Sequence, residues 1–176
     1  MKTYKTLLVG EGGCGKSTWV ARLNAEKNGS KLFEQKYIAT LGVEVVPVIA
    51  QSPSDGSKYI ANIWDCAGQD KFSGLGDGYY VQAQAAIFAF NLDSRRSMKK
   101  IPQKVREVRR ITGDIPYVIV GFKSDVRTIS QEEVRAFLGN ANYVEVSTKT
   151  GSNVHEPLRI LHRRLNPSVN VGHAKL

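Results

Sequence analysis

Residues 10–17 read Gly10-Glu11-Gly12-Gly13-Cys14-Gly15-Lys16-Ser17, which fits the pattern G-x-x-x-x-G-K-[ST] at every fixed position. An apolar stretch at 4–10 predicts a strand before this loop, and residues 16–24 predict a helix after it. Glycines permit backbone conformations that a Cβ forbids, so successive N–H groups can turn toward phosphate oxygens. The loop therefore predicts a nucleoside triphosphate site, with Lys16 reaching the β- and γ-phosphates and Ser17 binding Mg²⁺.

The rest of the chain alternates apolar runs with helical patterns, which is typical of an α/β fold. We predict a mixed, mostly parallel six-stranded sheet with helices on both faces. The turn residues at 52–57 join two strands as a hairpin, so the second strand should run antiparallel to the third. The further strands are predicted at 43–49, 58–64, 85–92, 117–122 and 143–146, and the further helices at 102–111, 130–138 and 154–165.

The composition is that of an ordinary soluble globule. The chain has 176 residues, of which 41% are hydrophobic and 23% charged, so we expect one domain at 1–166 and a short, flexible, basic tail at 167–176. No apolar run approaches the roughly 18 residues of a membrane-spanning helix. The two cysteines, Cys14 and Cys66, are too few for a disulfide framework and lack metal-ligand spacing, which favours a reducing compartment.

Positive charge is the unusual bulk property. The formal net charge is +9, which favours acidic proteins, nucleic acid or anionic lipid as partners, unless the basic residues merely solubilise the surface. Residues 95–110 hold eight basic residues against one acid, Glu107. This face 95–110 is interpreted either as a docking surface for an acidic partner or nucleic acid, or as a solvated helix face.

Residues 64–69 read Trp64-Asp65-Cys66-Ala67-Gly68-Gln69 at the end of the third predicted strand. An acid at a strand end can hold Mg²⁺ through water, which is the role expected of Asp65. The N–H of Gly68 can then bond the γ-phosphate, and Gln69 can orient the attacking water. This second motif predicts hydrolysis of the bound triphosphate.

Three more segments carry candidate ligand contacts. Residues 37–42 read Tyr37-Ile38-Ala39-Thr40-Leu41-Gly42, in which Thr40 can complete the Mg²⁺ shell while a γ-phosphate is present. Residues 122–125 read Phe122-Lys123-Ser124-Asp125, and residues 147–149 read Ser147-Thr148-Lys149. Both follow predicted strands directly, at the carboxyl edge where open α/β sheets bind ligands.

Taken together, these motifs resemble the Ras superfamily of small GTPases, and most closely its Ran subfamily, which acts in nuclear transport. The resemblance rests on 37–45, 64–72 and 77–84, and it covers residues 4 to about 165. It implies a P-loop NTPase G domain over 1–166 that binds GTP or GDP with Mg²⁺ and switches between two states. A P-loop kinase is a poorer interpretation because it leaves Gln69 and Asp125 unexplained. A nucleic-acid-binding protein explains the charge and little else.

The resemblance also implies the role of each site residue. Gln69, Lys16 and Gly68 are the expected catalytic residues, and Ser17, Thr40 and Asp65 the expected Mg²⁺ residues. Asp125 should pair with the N1 and N2 hydrogens of guanine, which adenine lacks, so ATP should leave a buried Asp125 unpaired and be rejected. The expected nucleotide-binding residues are Gly12, Gly13, Cys14, Gly15, Lys16, Ser17, Thr18, Phe33, Tyr37, Thr40, Gly68, Phe122, Lys123, Asp125, Ser147, Thr148 and Lys149.

Two departures from the family pattern change the expected activity. Phe122 replaces an asparagine that bonds the base and its neighbouring loops, so affinity should fall roughly ten- to a hundredfold. The alternative to a GTP-hydrolysing switch is a pseudo-GTPase binding module with weakened nucleotide affinity. If Phe122 is the cause of weak binding, Phe122→Asn should slow the release of GDP. Tyr37 stands where an internal arginine finger would precede Thr40, so hydrolysis should be slow until a partner raises it roughly 10³–10⁵-fold.

The resemblance implies an exchange factor and a GTPase-activating protein as partners of a monomer in nucleus and cytoplasm. In the Ran subfamily an acidic tail helps to hold the GDP state and engages binding proteins, and a basic patch after the fourth helix helps to meet transport receptors. The given sequence shows no acidic run after its last predicted helix and has 136–140 in place of the patch, so we expect both kinds of binding to stay open. The sequence ends without a prenylation cysteine, and we expect no lipid anchor. Ala174-Lys175-Leu176 resembles a peroxisomal ending, but three residues match easily by chance.

Overall fold

A six-stranded sheet organises the residues that the computed structural model describes, which are 1–27, 43–66 and 78–167. The strand order is β2-β3-β1-β4-β5-β6, and every neighbouring pair is parallel except β2 and β3. This confirms the predicted mixed sheet. The strands are β1 Thr3–Gly10, β2 Val43–Gln51, β3 Lys58–Cys66, β4 Ala85–Asn91, β5 Tyr117–Phe122 and β6 Tyr143–Val146.

The predicted helices are present. One short α-helix and two 3-10 helices, Gly78–Tyr80 and Ser124–Val126, were not predicted. The hydroxyl of Ser130 accepts a hydrogen bond from the N–H of Glu133, as its capping pattern indicates. The unpredicted helix Arg95–Lys99 is too short to show an apolar period, and Ser94 caps it in the same way. The helices are α1 Lys16–Lys27, α2 Arg95–Lys99, α3 Ile101–Thr112, α4 Gln131–Leu138 and α5 Glu156–Leu165.

Side chains along each strand alternate between the two faces of the sheet, and helices cover both faces. Leu8 packs with Trp19 of α1 and Leu158 of α5 on one face. Its neighbour Leu7 lies with Val108 of α3 on the other. The predicted helices on both faces are thus confirmed. None of the helices within the described residues is long and apolar enough to cross a membrane.

The hairpin at one edge of the sheet is formed by β2 and β3, as the turn residues predicted. The N–H of Gly56, at φ +71°, donates to the carbonyl of Ser52. The outer strand β2 carries half-exposed Val45 and Ile49 and has Pro47, which lacks an N–H, near its middle. Proline is tolerated there because an edge strand needs only one complete hydrogen-bonded side.

Candidate functional site

The glycine-rich loop turns from β1 into α1 at the carboxyl edge of the sheet. Its Gly13 and Gly15 have φ values of +77° and +96°, which L side chains rarely adopt. Gly10 is required for a different reason: a Cβ there would lie 2.4 Å from the carbonyl oxygen of Ala89 on β4. The loop therefore depends on the two glycines that the motif fixes, Gly10 and Gly15, and also on Gly13, which stands at a variable position of the motif.

Lys16 is buried beneath this loop, with 5% of its surface exposed. Its Nζ donates to the carbonyl oxygens of Gly10, at 3.0 Å, and of Glu11, at 2.9 Å. The ammonium group is thereby held beside the first turn of α1, whose free N–H groups also favour an anion. Positive charge and backbone donors meet at one place, which suits phosphate.

A buried carboxylate lies beside the loop. The hydroxyl of Ser17 donates to Oδ2 of Asp65, a residue with only 1% of its surface exposed. Its Oδ1 is buried and has no hydrogen-bond partner among the described residues. Burial raises the pKa of the Asp65 carboxyl. An unpaired buried carboxylate oxygen is costly unless a cation faces it, and carboxylate and hydroxyl oxygens are ligands that Mg²⁺ accepts.

Asn91, at the end of β4, is a contact to the loop that sequence reasoning missed. Its Nδ2 donates to the carbonyl oxygen of Gly13 at 3.3 Å, and its backbone N–H donates to the hydroxyl of Ser97 at 3.0 Å. The loop is further attached to the junction between α2 and α3 by an ion pair between Glu11 and Lys100. A polar residue closing an otherwise apolar strand was the available signal.

The segments after β5 and β6 meet at the same edge. The hydroxyl of Ser147 donates to Oδ1 of Asp125 at 2.7 Å and accepts from the N–H of Thr150 at 3.1 Å. Asp125 is exposed, and Oδ2 makes no hydrogen bond within the described ranges. Lys123 adopts a left-handed conformation at φ +62°. One oxygen of Asp125 is therefore fixed, while the other is available to a ligand.

Arg22 on α1 braces the loop after β6. Its Nη1 donates to the carbonyl of Thr148 at 2.8 Å and to that of Lys149 at 3.3 Å. A Cβ on Gly151 would lie 2.7 Å from its Nη2, so the glycine makes room for the guanidinium. Sequence reasoning missed Arg22 because its partners lie more than a hundred residues away, and no local pattern indicates the contact.

The family model described as Ras family matches residues 5–166 of the chain. The chain belongs to the Ras family. Members of this family are GTP-binding switches with GTPase activity, typically binding Mg²⁺ and acting with exchange factors and GTPase-activating proteins. The match spans every loop of the site described above.

Phe122 occupies the first position of the guanine motif in this Ras-family chain, and it lies in the core. It has 1% of its surface exposed, and its ring centroid is 5.9 Å from that of Trp19 on α1. The indole N–H of Trp19 donates to the carbonyl of Val154 at 2.9 Å. A Cβ on Gly15 would lie 3.9 Å from Phe122. An apolar contact thus joins α1, the phosphate loop and the base loops.

Five predicted site residues of this Ras-family chain lie outside the described residues. The others are brought together along the carboxyl edge, with residues 12–18 and Asp65 at one end and residues 123–125 and 147–149 at the other. Burial raises the pKa of the Cys14 thiol. Burial also raises the pKa of the Cys66 thiol, to about 12, so neither cysteine is a ready nucleophile. The five are Phe33, Tyr37, Thr40, Gly68 and Gln69.

Proposed function

We propose that this chain is a magnesium-dependent guanine-nucleotide switch with slow GTP hydrolysis that a partner accelerates. The observation that carries the proposal is the buried pair of Ser17 and Asp65, with an unpartnered carboxylate oxygen, next to the buried ammonium of Lys16. Cation ligands and phosphate donors in one place are the requirement of a magnesium–nucleotide complex.

At the phosphate end, residues 12–18 hold the phosphates through backbone N–H groups and the Lys16 ammonium. Ser17 and Asp65 would hold the ion, the first directly and the second through water. Thr40 contributes from the segment before β2 when the γ-phosphate is present. Mg²⁺ neutralises charge on the phosphate oxygens when it is bound. The residues present therefore fit the ion.

At the base end, Asp125 accepts hydrogen bonds from guanine N1 and N2, and Ser147 fixes the carboxylate for that purpose. Asp125 is exposed and not buried as the resemblance implied, so water reaches its free oxygen in the absence of a ligand. Adenine offers no donor at these positions, so bound ATP would displace that water without replacing its hydrogen bond. Lys123, Thr148 and Lys149 line the base, and Arg22 holds the backbone of the last two in place.

Hydrolysis depends on Gln69, which orients the attacking water, and on the N–H of Gly68 at the γ-phosphate. Slow turnover follows from Tyr37, which stands where an internal arginine would otherwise stabilise the charge of the transition state. A partner that supplies an arginine should raise the rate roughly 10³–10⁵-fold.

Calorimetry of the purified chain tests the proposal. GDP and GTP should each bind with Mg²⁺, ATP should bind at least a hundredfold more weakly, and EDTA should accelerate release of a fluorescent GDP. Single-turnover assays should then show slow GTP hydrolysis. Absence of heat from either guanine nucleotide, or a preference for ATP, would overturn the proposal.

Phe122 favours one second candidate, a pseudo-GTPase that keeps the fold and partner surface but holds nucleotide weakly. A buried phenylalanine cannot make the hydrogen bonds of an asparagine at this position. The two candidates differ in single-turnover hydrolysis: a switch converts bound GTP completely within hours, whereas the binding module leaves it intact even when an activating protein is added.

We propose a Ran-like role in nuclear transport as the finer assignment. It is supported by the likeness of segments 37–45, 64–72 and 77–84 to the Ran subfamily. The test is binding of a purified nuclear transport receptor to the chain loaded with a non-hydrolysable GTP analogue, compared with the GDP-loaded chain. Preference for the GTP form supports the role, and equal or no binding of both forms contradicts it.

A further inference from the structure

The outer face of α2 and α3 carries a row of positive charge. Lys100 joins the two helices in a right-handed helical conformation, at φ −82° and ψ −13°, so they continue one another. Ile101 and Val108 are buried on the inner face. At 3.6 residues per turn, the positions on the opposite face are Arg96, Lys99, Gln103, Arg106 and Arg110, and all five are exposed.

The cations that flank this face are already neutralised within the fold. Four acids supply the partners, two from α3 and the turn after it, one from α4 and one from the phosphate loop. Of these pairs, Arg95 binds Glu133 with two hydrogen bonds, at 2.7 and 2.9 Å. The others are Lys104 with Glu107, Arg109 with Asp114, and Lys100 with Glu11.

Three cations of the outer face have no such compensation. Arg96, Lys99 and Arg106, which we call the outer row, form no ion pair within residues 1–27, 43–66 and 78–167. No acid occupies a position on that face between residues 96 and 110. The fold thus pairs the flanking cations, whereas the three cations of the outer row have no ion pair in the part of the chain that the structure describes. This distinction separates the row from a merely solvated helix with mixed charges.

We infer that the outer row docks an acidic helix of a partner protein. With a rise of 1.5 Å per residue, Lys99 and Arg106 are about 10 Å apart along the axis, and Arg110 follows about 6 Å further on. A helix that carries Glu or Asp with the same spacing on one face would oppose them. The net charge of +9 would also steer such a partner toward the chain.

The chemistry of the row favours a protein helix over nucleic acid. Proteins hold phosphates with hydroxyls, amides, backbone N–H groups and helix N-termini as well as with cations. Here Gln103 is the one neutral donor on the face, and Pro102 leaves the first turn of α3 with one N–H fewer. No aromatic side chain on the face can stack on a base. A straight row of cations requires only a matching row of carboxylates.

A designed peptide tests the inference on the full chain. The probe is a fluorescent 20-residue helix-forming peptide with glutamates along one face, and fluorescence anisotropy measures its binding. The comparison peptide has the same composition with its glutamates distributed around the helix. We expect the one-faced peptide to bind at least tenfold more tightly, and raising the salt from about 50 to 200 mM to weaken both interactions.

The decisive variant is R96E/R106E, which should weaken binding of the one-faced peptide at least tenfold. Lys99 is left unchanged because it also interacts with Glu133: hydrogen bonds from Arg95 are the main cause of the lowered pKa of Glu133, and the Lys99 charge lowers it further. The control K58E/R164E makes the same change in net charge at two exposed cations elsewhere, and its binding should stay within threefold of wild type. GDP release should be unchanged in both, which shows that they fold.

Three results would overturn the inference. The first is an equal loss of binding in both double variants, which would make net charge the cause. The second is no preference between the two peptides, or no binding at all. The third is tighter binding of a 20-base-pair DNA duplex that R96E/R106E abolishes, which would assign the row to nucleic acid. None of these results depends on whether the chain hydrolyses GTP.

Discussion

The two ends of the carboxyl edge are held by different forces. At the phosphate end, buried polar groups contact one another and the backbone: Lys16 with loop carbonyls, and Ser17 with Asp65. At the base end, Phe122 packs in the core against Trp19, while the carboxylate of Asp125 is exposed. One end follows the family pattern at every fixed position, whereas the other replaces a polar tie with an apolar contact.

This difference separates two tasks that the site performs. In the proposed switch, affinity for the magnesium–phosphate group depends on charges buried in fixed positions, where a substitution leaves a partner unpaired. At the base end, the apolar packing of Phe122 supports the framework of the loops but supplies no hydrogen bond to the base. The comparison predicts that changes at the phosphate end affect binding directly, whereas changes at the base end act first on stability.

The largest effect is expected from Lys16→Ala. It removes the buried ammonium, and a charged hydrogen bond contributes about 1.5–3 kcal/mol. With two phosphates in reach, the affinity for GDP and GTP should fall at least a hundredfold, which corresponds to about 3 kcal/mol. Calorimetry measures the loss, and Lys2→Ala, an exposed lysine, should match wild type. An affinity within threefold of wild type would show that the phosphate end does not dominate binding.

Phe122→Asn tests the base end. An amide buried against Trp19 should cost about 2–4 kcal/mol of the free energy of unfolding, measured by urea denaturation without nucleotide. Phe122→Leu keeps an apolar contact and should cost about 1 kcal/mol. Loaded with fluorescent GDP, the asparagine variant should release it more slowly than the leucine variant, because only the amide can bond the base and its loops. Equal stability of all three proteins would contradict the apolar role.

Asp65→Asn separates metal binding from folding. It removes a buried charge but keeps an oxygen that accepts from Ser17, so the nucleotide-free protein should gain about 1 kcal/mol, or roughly 2–4 °C in Tm. Added Mg²⁺ should no longer slow GDP release. Glu132→Gln is the control at an exposed carboxylate. Retention of the full Mg²⁺ effect in Asp65→Asn would remove Asp65 from the proposed ion site.

Asn91→Ala tests whether β4 positions the phosphate loop. The amide bond to Gly13 is 3.3 Å long, so its loss should cost about 0.5–1 kcal/mol and accelerate GDP release about two- to fivefold. Asn62→Ala, on β3, serves as the matched control and should not change release. If both variants release GDP at the wild-type rate, Gly13 does not depend on Asn91.

The smallest effect on nucleotide binding is expected from His162→Gln, because His162 lies away from both the phosphate end and the base end of the site. Burial lowers the pKa of His162, whose ring stacks on Tyr59 at 4.3 Å. As the pH falls through about 6.5, His162 is protonated in the unfolded chain before it is protonated in the folded one. The free energy of unfolding therefore decreases as the pH falls. The variant should flatten this decline in urea titrations without altering GDP affinity. An unchanged slope would exclude His162 as the cause.

Features that are local in sequence could be predicted. The hairpin at 52–57, the cap at Ser130 and the glycine-rich loop each depend on residues a few positions apart. The inner strands β1, β4 and β5 were also predictable, because strands covered on both faces have nearly continuous apolar sequences. The residues that support the site were not, because Arg22, Asn91 and Trp19 reach partners 78–135 residues away.

Phe122 shows the same limit within a single residue. The sequence predicted correctly that a hydrogen-bonding residue is missing from the guanine motif. It did not indicate that the ring packs against Trp19, because aromatic pairing across two elements has no local pattern. For Thr40 and Gln69, the roles stay predictions, since both lie outside the described residues.

Pro47 on β2 has a consequence for the chain at high concentration. The exposed side of an edge strand can pair with a strand from another molecule, which is how sheets grow into aggregates. A proline near the middle of β2 withholds one donor from any such ladder, although Val45 and Ile49 on either side are half-exposed and apolar. This edge of the sheet is therefore a poorer template for polymerisation than an apolar strand with every donor present would be.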